Sequence, residues 1–139
     1  MDIKPITQDI SVTGQIDPQD LAAIAAAGFR TVICNRPDGE TPDQPAFAQI
    51  QSAAESAGLK AVLVPISGPP VPREAIEQFA AALEASDGPT LAFCRSGMRS
   101  TMLWALSQAG SRPTDEIIAA AAGAGYDLSP LAPMLNAAA

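Results

Sequence analysis

Short apolar segments and longer amphipathic segments alternate along the chain. Four segments have the length and residue types of strands: 3–13, 31–34, 60–66 and 90–93. Five segments carry apolar residues at helical spacing: 17–28, 46–57, 72–86, 100–109 and 114–122. A further short helix is predicted near the end of the chain. This alternation predicts one α/β domain over residues 1–139, with three layers: a mostly parallel central sheet of four to five strands flanked by helices.

Cap and turn residues support the predicted helix boundaries. Asp17 is expected to cap the first helix, with Pro18 at its first position, and Gly28 is expected to end it. Thr114 is expected to cap the helix at 114–122. These boundaries leave polar loops after the strands, where sheets of this kind place their sites.

The composition favours a single packed core. Of the 139 residues, 47% are hydrophobic but 4% aromatic, which suits small residues packing helices against a sheet. Charges or prolines interrupt every apolar run before it reaches the length of a membrane span. The net charge of −7 argues against nucleic acids and anionic membranes as partners. Since the N-terminus lacks the basic-then-apolar pattern of a signal peptide, we expect a cytoplasmic location.

The absence of histidine narrows the chemistry sharply. It excludes Ser-His-Asp and Cys-His catalysis and every metal site that contains histidine. The two cysteines, Cys34 and Cys94, are too few for a four-thiolate metal site. We therefore expect no metal and no cofactor, and a reaction that depends on a thiolate, carboxylates, hydroxyls and arginine.

The stretch from Thr90 to Thr101 concentrates the candidate chemistry. A predicted strand ends at Cys94, a tight loop follows, and a helix begins at once. Backbone N–H groups at a helix start lack intrahelical partners, and the helix dipole adds partial positive charge there. Because a thiolate is stabilised at such a position, Cys94 is the predicted nucleophile.

The residues that follow Cys94 are expected to bind the group that it attacks. Arg99 is predicted to face inward, where it fixes the loop or binds an anion through its planar fork. Ser100 is expected either to hydrogen-bond the Cys94 sulfur or to cap the helix. Backbone N–H groups from residues 95–100 are expected to cradle the bound group, and Arg95 is expected to face outward and meet substrate. The predicted substrate contacts in this loop are Arg95, Ser96, Gly97 and Met98.

A second polar loop, at residues 35–45, follows the predicted strand at 31–34. Arg36 is expected either to pair with Asp38 or Glu40 and stiffen this loop, or to add positive charge at the mouth of the site. Asp38 or Glu40 is also the candidate for a general acid. All three are therefore predicted to contribute to substrate binding.

Several separate motifs along the chain resemble those of a bacterial family and follow the same order. The motifs are Ser11-Val-Thr-Gly-Gln, Asn35-Arg-Pro-Asp-Gly-Glu, Asp43-Gln-Pro and Cys94-Arg-Ser-Gly-Met-Arg-Ser. They resemble the phosphatase-like domain of beta-lactamase-hydrolase-like proteins over nearly the full chain. The resemblance implies the fold of dual-specificity cysteine phosphatases. It also implies a setting in sulfur metabolism, with a persulfide dioxygenase or a sulfide-oxidising enzyme as the candidate partner.

The length of the cysteine loop favours sulfur chemistry over phosphate chemistry. Four residues separate Cys94 from Arg99, whereas the phosphatases that the chain resembles have one more, and Phe93 stands where they have histidine. Four is also the spacing that a resemblance to rhodaneses implies. The loop before the last predicted strand lacks an acid. We therefore expect a rhodanese-like sulfurtransferase that carries sulfane sulfur as a Cys94 persulfide, from a small sulfur donor or anionic substrate to a thiol acceptor.

Two other functions are consistent with the same residues. One is a cysteine-dependent phosphatase of the protein-tyrosine or dual-specificity type, with a phosphocysteine intermediate. The other is a non-catalytic docking module. The resembled fold also implies that the strands ending at Cys34 and Cys94 are neighbours. Cys34 is then either a resolving cysteine or a small apolar residue of its strand.

Overall fold

The computed structural model describes residues 1–138, in which a five-stranded sheet separates two layers of helices. The strands are β1 (Lys4–Pro5), β2 (Ile10–Thr13), β3 (Thr31–Cys34), β4 (Lys60–Leu63) and β5 (Thr90–Phe93). Their spatial order is β1-β2-β5-β3-β4; β1 is antiparallel to β2, and all other pairs are parallel. The expected α/β fold with a mostly parallel sheet is thus confirmed.

Helices cover both faces of this sheet. They are α1 (Leu21–Ala26), α2 (Phe47–Ser56), α3 (Arg73–Ala85), α4 (Met98–Gln108), α5 (Thr114–Gly123) and α6 (Ala132–Ala138), with 3-10 turns at Pro18–Asp20 and Ser129–Leu131. Side chains of α1 and α2 pack on one face and those of α3 to α6 on the other. No helix within residues 1–138 combines the length and the apolar character needed to cross a membrane.

Strand β5 supplies side chains to both cores. Leu91 and Phe93 point towards α1 and α2, whereas Ala92 points towards the other helices, as the two-residue repeat of a strand requires. All three are fully buried. The strand is central and paired on both edges, so its C-terminal end is held rigidly beneath the residue that follows it, Cys94.

Two predicted strands are shorter in the structure. The segment at 3–13 is a hairpin rather than one strand, because Ile6 and Thr7 turn and donate their N–H groups to the carbonyl of Ile10. The strand at 60–66 ends at Leu63, although the N–H groups of Val64 and Ile66 still donate to the carbonyls of Cys34 and Asn35 over 2.9 and 3.1 Å.

Two helix caps differ from the expected ones. Helix α4 begins at Met98, two residues early, with Gly97 at the N-cap; Ser100 therefore lies inside the first turn and is not the cap. Thr114 is the first residue of α5, and Pro113 takes the cap position. Asp17 does occupy the N-cap of the turn that leads into α1, as predicted.

Burial in the α3–α6 core predicts a large cost for shortening a side chain there. Leu103 is fully buried, so we expect Leu103→Ala to lower the free energy of unfolding by about 2–5 kcal/mol in urea titrations. The matched control is Leu63→Ala on the edge strand, where the side chain is 38% exposed and we expect a cost below about 1 kcal/mol. Equal losses in the two variants would contradict this assignment of the core.

Candidate active site

Three parallel strands end side by side at the C-terminal edge of the sheet. Thr13, the last residue of β2, and Cys34, the last residue of β3, both pair in register with Phe93. The next residues along the chain, Gly14, Asn35 and Cys94, therefore start three loops at one place. This alignment brings together the motifs that lie far apart in the sequence.

The loop between β5 and α4 folds back on the sulfur of Cys94. The Gly97 N–H donates a hydrogen bond to Cys94 Sγ over 3.1 Å. Gly97 has φ +92°, a left-handed conformation that favours glycine, and it caps α4. The sulfur thus lies at the N-terminal end of a helix and accepts a backbone N–H, which is the arrangement that stabilises a thiolate. Cys94 itself is fully buried.

Neighbouring segments hold this loop from outside. An ideal Cβ on Gly14 would lie 2.9 Å from the carbonyl oxygen of Arg95, so only glycine allows β2 to approach so closely. The Gln15 N–H donates to that same carbonyl over 3.3 Å. On the other side, the hydroxyl of Tyr126 donates to the carbonyl of Ser96 over 2.8 Å.

Arg99 forms a two-bond ion pair with Glu40 of the second loop. Its Nη1 lies 2.8 Å from one carboxylate oxygen and its Nη2 lies 2.9 Å from the other. Nη1 also donates to the carbonyl of Ile66 over 2.8 Å. The Glu40 carboxylate raises the pKa of Arg99. Arg99 thus points inward as predicted, and Glu40 from the loop at 35–45 holds it there.

Glu40 is held ionised by two guanidinium groups. Hydrogen bonds from Arg99, and then from Arg36, lower the pKa of Glu40 to about 2. A carboxyl group this acidic is deprotonated at neutral pH and is poorly suited to donate a proton.

Arg36 is buried, and its donors are committed to side chains around it. Nε donates to Glu40 over 2.9 Å, Nη1 to Gln15 over 2.9 Å and Nη2 to Thr41 over 3.2 Å. The structure thus shows the pairing with a carboxylate that the sequence suggested, with Glu40 as the partner. A contact between Arg36 and substrate stays a prediction.

Asp38 serves the helix that follows it. Its Oδ1 accepts the N–H of Phe47, the first residue of α2, over 2.8 Å. This contact satisfies a backbone N–H that the helix itself leaves free. Asp38 is therefore engaged at the start of α2, while Glu40 is held ionised.

The side chain of Arg95 is exposed at the mouth of the site. It lines a cleft of about 350 Å³ that Arg36 and two carboxylates, Asp17 and Asp43, also line. Hydrogen bonds from Thr41 and from its own backbone N–H lower the pKa of Asp43, and the charges of Arg36 and Arg95 lower it further. The outward position predicted for Arg95 matches this cleft, which offers both positive and negative charge to a ligand.

The remaining predicted loop residues differ in their surroundings. Met98 is 36% exposed at the start of α4, and Ser96 Oγ accepts the Met98 N–H over 3.4 Å. The Ser100 hydroxyl is buried and has no hydrogen-bond partner among residues 1–138. The hydrogen bond from Ser100 to the Cys94 sulfur is thus not formed.

Cys34 lies beside Phe93 in the core that α1 and α2 cover, as the neighbouring strands implied. Its thiol donates to the carbonyl of Arg36 over 3.3 Å. Burial, above all, raises the pKa of Cys34 to about 11. Such a thiol stays protonated at neutral pH, which suits a strand residue; a role as resolving cysteine stays a prediction.

Three residues that sequence reasoning missed connect the loops. Gln15 and Tyr126 contact the cysteine loop, and Asn35 binds the segment that holds Arg99: its Nδ2 donates to the Val64 carbonyl over 2.8 Å. Gln15 and Asn35 lie within the motifs that resemble the family, and these motifs could have indicated both residues. Tyr126 lies outside every motif. Within residues 1–138 no cluster of histidine, cysteine or acidic residues is placed to hold a metal ion.

Comparison with known proteins identifies the family of the chain. Residues 2–111 match the sequence profile described as the phosphatase-like domain of beta-lactamase hydrolase-like protein. A beta-lactamase hydrolase-like protein of Xylella fastidiosa (strain Temecula1) is 36% identical over 130 residues. That match covers 92% of this chain and 30% of the relative, so the chain spans about a third of the length of the curated relative.

Solved structures give the same result. A crystal structure from Neisseria meningitidis, described as that of a candidate phosphatase, is 34% identical with a TM-score of 0.87, over 100% of this chain and 99% of that one. Another so described, from Shewanella putrefaciens, has a TM-score of 0.72 at 20% identity, over 99% and 85% of the two chains, and shows the fold alone. The family profile and the 34% identical neighbour favour the phosphatase alternative over the sulfurtransferase that loop length suggested.

The low pKa of Glu40 predicts a pH-dependent contribution to stability. Since the folded-state pKa lies below the ordinary 4.5, the ion pairs stabilise the fold above about pH 4.5 and lose this effect as the pH falls towards 2. We expect the urea midpoint of Glu40→Gln to lie below that of the wild type at pH 6 and to converge with it near pH 2. Glu77→Gln, on the exposed side of α3, is the control; a constant Glu40→Gln difference across this range would contradict the prediction.

Proposed function

The chain belongs to the family of phosphatase-like domains of beta-lactamase hydrolase-like proteins, and we propose that it is a cysteine-dependent phosphatase. The observation that supports this proposal most is the geometry at Cys94. Its sulfur sits at the N-terminus of α4 and accepts the Gly97 N–H, with Arg99 in the same turn. These are the two groups needed for nucleophilic attack on phosphorus: a thiolate nucleophile and a fixed positive charge.

The reaction proceeds through a covalent intermediate. The Cys94 thiolate attacks phosphorus, the bond between phosphorus and the leaving oxygen breaks, and that oxygen departs with the electron pair. Water then attacks the phosphocysteine, the bond between phosphorus and Sγ breaks, and phosphate leaves as the thiolate re-forms. A proton passes from this water to solvent, and another passes from solvent to the leaving oxygen.

The carboxylates of the site limit which leaving groups suit it. Asp38 caps α2, and the Glu40 carboxyl has a pKa of about 2. Because Asp38 is engaged with the N–H of Phe47 and Glu40 is ionised, the proposed substrates are phosphate compounds whose leaving groups are stable as anions, such as phosphate esters of acidic phenols and phosphoanhydrides.

The hydrogen bonds between Arg99 and Glu40 place a second condition on substrate binding. Both terminal nitrogens already bind Glu40, so an incoming phosphoryl group shares this guanidinium with the carboxylate or displaces it. Arg95, exposed at the mouth, supplies further positive charge for an anionic substrate. The two acidic residues of the cleft favour a substrate that also carries a cationic or hydrogen-bond-donating group.

Sulfur transfer is a second candidate, supported by two observations. The loop holds four residues between Cys94 and Arg99, and the site lacks a poised acid among its described carboxylates. Transfer of sulfane sulfur to a thiolate needs no acid when the leaving group is a stable anion. In this scheme Cys94 attacks the outer sulfur of the donor, the sulfur–sulfur bond of the donor breaks, and an acceptor thiolate later removes that sulfur.

Replacement of the nucleophile tests the proposal directly. We expect Cys94→Ser to lower kcat for an aryl phosphate by a factor on the order of 10³ or more. Cys34→Ala is the matched control, since its thiol is protonated and packs in the core, and we expect it to keep activity. Mass spectrometry of the quenched Cys94 peptide is expected to show an added phosphoryl group. Addition of one sulfur atom from a persulfide, without phosphate release, would instead establish sulfur transfer; neither adduct would favour a docking module.

Since neither Asp38 nor Glu40 is expected to protonate the leaving oxygen, the rate should depend on the chemistry of the leaving group. Across a series of aryl phosphates, we expect kcat/KM to rise steeply as the phenol becomes more acidic, because the leaving oxygen departs unprotonated. Asp38→Asn, which retains an oxygen to accept the Phe47 N–H, is expected to leave this slope unchanged. A shallow slope that steepens in Glu40→Gln would show that Glu40 donates a proton after all.

A further inference from the structure

Tyr126 reaches the cysteine loop from a distant part of the chain. Gly125 has φ +96° and reverses the chain direction after α5, and the Tyr126 N–H donates to the carbonyl of Ala121 over 2.9 Å. This turn directs the aromatic ring inward, so that Tyr126 is 7% exposed. Lys4 lies above the ring, with its Nζ 4.9 Å from the ring centre.

The hydroxyl of Tyr126 meets the loop at one peptide group. It donates to the carbonyl oxygen of Ser96 over 2.8 Å. An ideal Cβ on Gly97 would lie 2.2 Å from this hydroxyl oxygen, so the ring abuts the peptide between Ser96 and Gly97 with no room for a side chain. The positive φ of Gly97 and this contact both restrict the position to glycine.

The planarity of the peptide bond links this contact to the sulfur. In a trans peptide the C=O and the N–H point in opposite directions from one rigid plane. Because Tyr126 holds the C=O of Ser96, the N–H of the same peptide, on Gly97, is directed away from the tyrosine and towards Cys94 Sγ, 3.1 Å distant. A hydrogen bond accepted at the carbonyl also polarises the peptide and strengthens its N–H as a donor.

The neighbouring peptides of the loop are held by other groups. Gln15 binds the carbonyl of Arg95, and Thr101 binds the carbonyl of Gly97 through both its N–H and its hydroxyl. Neither of these two peptides supplies the N–H that reaches the sulfur. Of these three carbonyl contacts, the one from Tyr126 is on the peptide whose N–H donates to Cys94 Sγ.

We propose that Tyr126 is a positioning residue that fixes the Ser96–Gly97 peptide so that its N–H stabilises the Cys94 thiolate. The proposal rests on the proposed function in one respect, the role of Cys94 as nucleophile, and holds for phosphate or sulfur substrates alike. Loss of the hydroxyl frees the peptide to rotate, which weakens the hydrogen bond to sulfur and disfavours the ionised form of Cys94.

Tyr126→Phe removes the hydroxyl and keeps the ring. The ultraviolet absorbance of the thiolate, measured against pH, reports the ionisation of Cys94, and a matching Cys94→Ser partner of each protein supplies the baseline. We expect the midpoint to move upward, leaving about three- to tenfold less thiolate at pH values below it. Turnover of an aryl phosphate is expected to fall by the same factor there and to recover at high pH, with KM little changed.

Ser107→Ala is the matched control. The Ser107 hydroxyl also donates to a backbone carbonyl, that of Trp104, but in the second half of α4. We expect this variant to keep the wild-type midpoint. Thermal unfolding of both variants separates a loss of stability from a shift in ionisation.

Two results would overturn the proposal. One is an unchanged midpoint in Tyr126→Phe, whatever its melting temperature, which would make Tyr126 a purely structural contact. The other is an equal shift in Ser107→Ala, which would show a general response to loosening α4. The absorbance titration needs no substrate, so a failure of the proposed phosphatase activity leaves this test intact.

Discussion

The ion pair between Arg99 and Glu40 joins the two loops from which the site is built. Arg99 comes from the first turn of α4 and Glu40 from the loop after β3, 59 positions apart in sequence. The same carboxylate also binds Arg36, so one negative charge organises two guanidinium groups that would otherwise repel each other. The register of β2, β5 and β3 makes this contact possible, since it ends the three strands at one edge of the sheet.

This arrangement separates the two tasks of nucleophilic catalysis. Stabilisation of the attacking sulfur is built into backbone: the N–H of Gly97 and the start of α4. Charge balance around the incoming group is left to arginine side chains, of which Arg99 and Arg36 are internally compensated and Arg95 is exposed at the mouth. Protonation of a leaving group has no dedicated side chain among those predicted for it. In the proposed phosphatase reaction, the rate therefore depends strongly on the acidity of the leaving group.

The parts of the site that could be predicted from sequence are those with a local cause. The end of an apolar strand, a glycine and a helix start lie within a few residues of Cys94, so the position of the cysteine loop could be predicted without a fold. The partner of Arg99 could not, because strand order brings Glu40 to it and the sequence offers Asp38 as an equal choice. Neither role expected for Ser100 is observed, because α4 starts two residues earlier than the apolar spacing predicts and Gly97 supplies the cap. The hairpin at residues 3–13 could not be predicted because Ile6, an apolar residue that fits a strand pattern, lies in its turn.

The position of Tyr126 bears on where this functional unit ends. The family profile matches residues 2–111, a range that holds Cys94, the whole of its loop and the arginine–carboxylate network. The hydroxyl that holds the Ser96 carbonyl comes from residue 126, beyond that range and across a further helix. A fragment cut at the boundary of the recognisable motifs would keep every reacting group and lose the clamp on the peptide that faces the sulfur. The part of the chain that contributes to the site therefore extends beyond the residues that the family profile matches.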